Sequence, residues 1–171
     1  MKSLTIPEYV ERWALIDILG GLAGIIGGLG AIIFRLMIDV NRQIFFSQLL
    51  KYLTFEINGF NIGLAVLPLI GGLIVGFITV KFAPEAKGHG VPEVMEAIYL
   101  RGGSIRSRVA LAKIVASSIT IGSGGSAGRE GPIAQIGATM GSIIGKLFNF
   151  SSKEKRLLVV CGLAAGIAGT F

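Results

Sequence analysis

The sequence predicts an all-α membrane protein in which tilted spanning helices are combined with broken half-helices. Three observations lead to this prediction. Of the 171 residues, 52% are hydrophobic and only 15% are charged, whereas soluble domains contain ~25% charged residues. Glycine occurs 26 times, and small residues let membrane helices pack closely. Long uncharged runs are followed by short ones interrupted by glycine, a pattern typical of the broken helices of transporters.

This composition excludes several classes of protein. A disordered chain needs low hydrophobicity, and collagen needs a three-residue glycine period. The formal net charge of +6 does not indicate a nucleic-acid partner, because the basic residues lie between apolar runs and do not alternate with aromatic residues. The single Cys161 belongs to no metal or redox motif. We therefore expect no metal and no cofactor, and no nucleophile–base arrangement indicates an enzyme.

Two spanning helices are predicted in the first half of the chain. Ile18 to Phe34 is an uncharged run of 17 residues, the lower limit for crossing a bilayer. Apolar periodicity continues beyond this run and predicts a long tilted helix from about Arg12 to Leu50. Ile57 to Val80 is an uncharged run of 24 residues and predicts a second span, in which Pro68 is tolerated. The stretch Lys51 to Asn61 is predicted to be a loop.

The distribution of basic residues predicts the orientation. The segment from Lys81 to Arg108 contains five basic residues, whereas the connection from Arg35 to Glu56 contains three. By the positive-inside rule, the first segment and the N-terminus are both cytoplasmic. The first twelve residues show no cleavable signal. We therefore expect an integral, multi-pass protein of the plasma (inner) membrane, with the lipid bilayer as its surroundings.

Three shorter segments follow and predict half-helices. Ile114 to Gly128, Gly131 to Gly145 and Leu157 to Phe171 are uncharged runs of 15 residues each, shorter than a comfortable span. Glycines spaced four residues apart recur in the spanning and the short segments, and we interpret them as intramolecular packing faces. They are Gly20, Gly24 and Gly28; Gly72 and Gly76; Gly137, Gly141 and Gly145; and Gly162 and Gly166.

Two stretches combine flexible glycines, a proline and an unbroken apolar run. One extends from Gly88 to Pro92 and the other from Gly122 to Pro132. Proline in the first turn of a helix costs no hydrogen bond, so Pro92 and Pro132 predict helix starts. A helix that starts inside a membrane directs unpaired N–H groups at one point, where they bind an anion without a full positive charge. Ordinary turns between spans are the alternative. The predicted anion-binding residues are Gly88, His89, Gly90, Val91, Gly128, Arg129 and Gly131.

Glu130 is a carboxylate between two apolar runs, a placement that costs ~2.5–3.5 kcal/mol on insertion scales. It directly precedes Gly131 at the predicted helix start, so its carboxylate can occupy the place of the anion and leave when protonated. We therefore interpret it as a gate and a proton carrier; a static cap or an ion pair with Arg129 is the alternative. Arg129 is the only basic residue expected in this site. His89 is either structural or lines the ion path. Lys113 either pairs with an acidic residue, which the sequence does not identify, or shapes the local potential.

These residues resemble the CLC family of chloride channels and chloride/proton antiporters. The sequence Gly128-Arg129-Glu130-Gly131-Pro132 resembles the GREGP motif of the family, and Gly88 to Pro92 resembles its GSGIP segment. The resemblance implies that chloride is the anion, that Glu130 is the gating glutamate, that protons are a second substrate of some members, and that the full-length protein is a homodimer. His89 stands where many members have an ion-contacting serine, which leaves the anion preference open.

The family has two inverted halves, and this chain resembles about one of them. Residues 1–171 are therefore expected to be a single transmembrane region at the N-terminus of a larger transporter domain. The favoured function is anion transport, as a channel or as an H+/Cl− antiporter. Two alternatives stay open: a half-size transporter that assembles two copies in opposite orientations, and a non-transporting membrane scaffold or assembly fragment.

Overall fold

The computed structural model describes residues 6–53, 56–57, 60–82, 84 and 88–170. Nearly all of these residues are helical, as the sequence predicted. Six α-helices follow one another in the described chain: α1 (Ile6–Arg42), α2 (Gly63–Phe82), α3 (Val91–Tyr99), α4 (Ser107–Gly122), α5 (Glu130–Leu147) and α6 (Ser152–Ala168).

The long first helix is confirmed and extends further than expected. α1 continues through a π-helical turn, Gln43–Gln48, and a 3-10 turn, Leu49–Tyr52. The helical segment Arg12–Tyr52 has 41 residues, which at 1.5 Å per residue is about 60 Å. This length exceeds the ~30 Å hydrocarbon core, so the helix either crosses a bilayer with a tilt or projects beyond the core.

The loop predicted for residues 51–61 was wrong in part. Its start belongs to the 3-10 turn, and Glu56–Ile57 (β1) pairs antiparallel with Phe60–Asn61 (β2). In the sequence these strands are separated by Asn58-Gly59, a dipeptide that short hairpin loops prefer. The second span consequently begins later than predicted.

α2 begins at Gly63, whose N–H donates to the side-chain oxygen of Asn61 at 3.0 Å. Pro68 lies inside the helix, as predicted. Within the described residues, Arg12–Tyr52 and Gly63–Phe82 are the two helices long and apolar enough to cross a membrane.

The predicted short helices and their proline starts are confirmed, but α4 begins seven residues before the predicted run Ile114 to Gly128 and ends six residues before the end of that run. α3 has 9 residues, and α4, α5 and α6 have 16, 18 and 17. Pro92 lies in the first turn of α3, and Pro132 lies in the first turn of α5. Gly90 caps α3 with φ 101°, a left-handed conformation that favours glycine.

α5 is the centre of the bundle and contacts α1, α3, α4 and α6. All residues from 131 to 139 are buried. α5 and α6 cross so closely that a Cβ atom on Gly137 would lie 2.1 Å from the carbonyl oxygen of Gly162. The packing interpretation is therefore confirmed for these glycines. It was wrong for Gly28 of α1 and for Gly72 and Gly76 of α2, where an added Cβ would meet no atom within 4 Å.

One end of the bundle, here called the basic end, brings together the starts of α1, α4 and α6. Arg12 donates to Glu154 at 2.5 and 3.0 Å. Ser142 near the end of α5 holds the α3–α4 connection, because its hydroxyl accepts from the Ile105 N–H at 2.8 Å and donates to the Gly103 carbonyl at 2.7 Å. Further basic side chains follow in these elements: Arg101, Arg106, Arg108, Lys146, Lys153, Lys155 and Arg156. Lys87, which the topology argument also counted, lies outside the described residues.

Candidate functional site

The two glycine-proline stretches meet in the folded chain. A Cβ atom on Gly131 would lie 2.2 Å from the backbone oxygen of His89 and 2.8 Å from its ring. A Cβ atom on Gly90 would lie 2.9 Å from the carbonyl oxygen of Gly131. These approaches exclude side chains at both positions, and they place the starts of α3 and α5 side by side. We call this contact the α3–α5 junction.

A cavity of about 620 Å3 opens beside the α3–α5 junction. Gly88 and His89 line it from the first stretch, and Gly128 and Pro132 line it from the second. α2 contributes Gly72 and Gly76, and α4 contributes Lys113, Ser117 and Thr120. Lys113 is the only charged side chain among the described lining residues, and no carboxylate is among them. The cavity is therefore suited to a small anion rather than to a cation.

The geometry of the two helix starts also favours an anion over a cation. The first N–H groups of a helix have no partner within the helix, and the helix dipole makes this end partially positive. Neither α3 nor α5 has a side chain that caps these groups. Both helix starts can therefore donate hydrogen bonds to an anion at the α3–α5 junction. No group of three His, Cys, Asp or Glu side chains that could hold a metal ion occurs in the described part of the chain.

Lys113 is buried in α4, with 1% of its surface exposed. Its Nζ donates a hydrogen bond to the carbonyl oxygen of Gly88 at 2.7 Å. Glu93 of α3 lies close enough to interact with it electrostatically. The lysine thus ties α4 to the first glycine stretch and supplies a formal positive charge to the cavity. A lysine in an apolar run could be noticed in the sequence, but a backbone carbonyl as its partner leaves no sequence signal.

Glu130 is the first residue of α5, and its side chain turns back toward Gly128. A Cβ atom on Gly128 would lie 2.5 Å from Oε2 of Glu130. The carboxylate is exposed and lies next to a residue that lines the cavity. Among the described residues, no salt bridge joins it to Arg129. The carboxylate therefore lies at the start of α5, beside the cavity and outside its lining.

The side chain of Arg129 lies elsewhere. It lines a separate cavity of about 20 Å3, together with Phe34 and Arg35 of α1 and Thr170. The sequence-based expectation that Arg129 is the only basic residue of the site was wrong, since Lys113 lines the large cavity instead. The structure brings the predicted residues Gly88, His89, Gly90, Val91, Gly128 and Gly131 to the α3–α5 junction or its cavity. Only the backbone of Arg129 belongs to this region.

Comparison with known proteins gives consistent matches. The family model described as voltage gated chloride channel matches residues 71–171. A ClcB-like chloride channel protein of Ralstonia nicotianae is 31% identical over 169 residues, which cover 88% of this chain and 37% of that protein. The H(+)/Cl(−) exchange transporter ClcA of Citrobacter koseri is 37% identical over 107 residues, which cover 62% of this chain and 23% of that protein.

A solved structure matches the fold. The crystal structure of a slow cyanobacterial Cl−/H+ antiporter superposes with a TM-score of 0.62 at 26% sequence identity. The match covers 91% of this chain and 36% of that one. The chain therefore spans well under half the length of each of these three proteins.

Proposed function

This chain belongs to the voltage gated chloride channel family, and on that premise we propose that it is the N-terminal part of a transporter that moves chloride across a membrane. One observation carries the proposal: two uncapped helix starts meet beside a cavity whose only charged lining side chain, among the described residues, is Lys113. The relatives support chloride as the ion, because their names describe a chloride channel and an H(+)/Cl(−) exchange transporter.

The site favours binding that is reversible. Backbone N–H groups of α3 and α5 carry partial charges, so they replace part of the hydration of chloride without holding the ion as an arginine contact would. Lys113 adds positive potential from a fixed position, because its Nζ is hydrogen bonded to the Gly88 carbonyl. Chloride can therefore enter the cavity and also leave it, as transport requires.

Glu130 is the gate in this proposal. Its carboxylate lies by Gly128 at the start of α5, where the positive end of the helix favours a negative charge. Chloride and an ionised Glu130 consequently compete for the same donors. Protonation removes the negative charge of the side chain, so Glu130 can leave the donors to chloride and carry a proton as it moves.

The orientation follows from the basic end. Lysine and arginine accumulate on the cytoplasmic side of membrane proteins, and the basic end contains the starts of α1, α4 and α6. We therefore place the N-terminus and the basic end in the cytoplasm. The α3–α5 junction then lies within the bilayer, at the end of α5 that is remote from the basic end.

Reconstitution of the full-length parent protein in liposomes tests this function. We expect chloride efflux that depends on pH, and we expect Glu130→Gln to remove that pH dependence. The control is Glu96→Gln, which changes a carboxylate that is 44% exposed and bonded to Arg101. A protein without chloride flux would contradict the transport function and favour a membrane scaffold. Flux with unchanged pH dependence in Glu130→Gln would contradict only the gate.

A further inference from the structure

A second large cavity lies on other faces of the same two helices that enclose the anion cavity. It measures about 610 Å3 and is lined mainly by Ile78, Lys81 and Phe82 of α2 and by Arg108, Leu111 and Val115 of α4. We call it the α2–α4 groove. None of its lining residues lines the cavity at the α3–α5 junction, so the two spaces are separate.

The lining of the α2–α4 groove has an unusual charge pattern. Every described lining side chain is either apolar or cationic, and no carboxylate is among them. Leu111 is 67% exposed and Phe82 is 57% exposed, so the apolar wall is open. The Nζ of Lys81 lies 5.3 Å from the ring centre of Phe77 and 6.0 Å from that of Phe82. Such cation–π contacts hold the ammonium at the rim of the groove.

The order of the lining residues matches the depth profile of a bilayer. Lys81 lies in the last turn of the spanning helix α2, and Arg108 lies in the first turn of α4 at the basic end. Leu111 and Val115 follow along α4, about 4.5 and 10 Å further from that end at 1.5 Å per residue. Cations therefore lie at headgroup depth, and apolar side chains lie below them at the depth of acyl chains.

We propose that the α2–α4 groove binds one anionic phospholipid. Its phosphate lies between Lys81 and Arg108, and one acyl chain lies along Ile78, Leu111 and Val115. A zwitterionic lipid carries its own cation, which the two basic side chains repel. A soluble anion gains nothing from the exposed apolar wall. Anionic lipids of the cytoplasmic leaflet satisfy both parts of the groove.

Native mass spectrometry of the full-length protein, released from nanodiscs of equal parts phosphatidylcholine and phosphatidylglycerol, tests this site. We expect the wild type to retain phosphatidylglycerol in preference to phosphatidylcholine. The double variant Lys81→Gln/Arg108→Gln should weaken phosphatidylglycerol binding by about 30-fold, the factor expected for two lost basic contacts with anionic lipid. The charge-preserving variant Lys81→Arg/Arg108→Lys should retain the lipid, which separates loss of binding from loss of folding.

The matched control is Lys153→Gln/Arg156→Gln, which removes the same charge from exposed positions at the basic end, outside the α2–α4 groove. It should leave the preference for phosphatidylglycerol unchanged. Equal weakening in both double variants would overturn the proposal in favour of general electrostatic attraction. A wild type without any preference would overturn it as well, and would indicate that the remainder of the full-length protein covers the groove.

The apolar wall has its own test. Leu111→Ser should weaken retention of both lipids, because it removes contact with the acyl chain. Leu147→Ser, at a residue 72% exposed in the last turn of α5, should not. Equal retention in both serine variants would contradict the placement of the acyl chain.

Discussion

The Nζ of Lys113 donates a hydrogen bond of 2.7 Å to the carbonyl oxygen of Gly88, a residue 25 positions earlier in the chain. This contact joins α4 to the backbone that precedes α3. It also fixes a positive charge at the wall of the cavity beside the α3–α5 junction. In the proposed chloride path, Lys113 therefore acts through the position of its positive charge and not through direct contact with the ion.

Lys113→Met should weaken halide binding to the purified full-length protein. The methionine fills a similar volume but supplies neither the charge nor the hydrogen bond to Gly88. We expect the dissociation constant for chloride to rise about tenfold, equivalent to ~1.4 kcal/mol, by isothermal titration calorimetry. Lys51→Met removes an exposed charge in the 3-10 turn and serves as the control. An unchanged affinity in Lys113→Met would show that the lysine is only structural.

Gly131→Ala should separate the starts of α3 and α5. The new methyl group would collide with the backbone oxygen of His89, 2.2 Å away, which cannot rotate out of the way. Overpacking of this kind costs ~1–3 kcal/mol, and we expect a lower melting temperature together with a loss of chloride efflux. Gly28→Ala is the control, because its Cβ would meet no atom within 4 Å. Wild-type efflux from Gly131→Ala would be incompatible with the close contact of the two helix starts.

Gly128→Ala should disturb Glu130 without unfolding the protein. Its Cβ would occupy space 2.5 Å from Oε2 of Glu130, and a carboxylate at the end of a side chain can rotate away. We expect a wild-type melting temperature and chloride efflux with reduced pH dependence. If both substitutions act through one carboxylate, the double variant Gly128→Ala/Glu130→Gln should behave as Glu130→Gln alone. Additive effects in this double-mutant cycle would argue against a shared mechanism.

Gly137→Ala should destabilise the crossing of α5 and α6. The added methyl group would lie 2.1 Å from the carbonyl oxygen of Gly162, and the two backbones would have to move apart. We expect the purified protein to lose ~1–3 kcal/mol of stability, seen as earlier aggregation on heating in detergent. Gly21→Ala provides the comparison, since nothing lies within 4 Å of its Cβ position. Equal melting temperatures of the two variants would exclude the close crossing.

Glu154 should make stability depend on pH in the acid range. It lies at the basic end, before the uncharged run of α6, and hydrogen bonds from Arg12 and then Ser151 lower the pKa of its carboxyl group from 4.5 to about 2. Because this pKa is lower in the folded protein, the stabilisation is present above pH 4.5 and is lost as the pH falls toward 2.

Thermal unfolding of Glu154→Gln at several pH values measures this contribution. The variant should melt below the wild type at neutral pH, and the difference should shrink as the pH falls through that window. Glu96→Gln is the control, at an exposed carboxylate on α3. A difference that stays constant down to pH 2 would mean that the Glu154 carboxylate is not the source of the stabilisation.

Sequence reasoning was accurate where the determining signal is local. The apolar runs predicted both spans, and the missing N–H of Pro92 and of Pro132 predicted where α3 and α5 begin. Both signals act within one or two helical turns. The later start of α2 was missed because it depends on the hydrogen bond between Gly63 and Asn61, next to a strand pair too short to show periodicity.

The candidate site was only partly predictable, because its geometry depends on contacts between distant backbone atoms. Gly90 and Gly131 approach each other through their lack of side chains, and the partner of Lys113 is a carbonyl group that every residue type possesses. The glycines of α2 show the same dependence on distant contacts, because here a local spacing predicted packing that the folded chain does not have. Their spacing is that of a packing face, but Gly72 and Gly76 border the cavity.

The burial of α5 has a consequence for how the protein is made. Its polar side chains Gln135, Thr139 and Ser142 are buried; the Thr139 hydroxyl is bonded within α5, but hydrocarbon would penalise Gln135 and Ser142 if α5 stood alone in lipid. α5 alone would therefore partition unfavourably from the insertion machinery into the lipid. We therefore expect α5 to enter the bilayer together with α4 and α6, the helices that cover it in the folded chain.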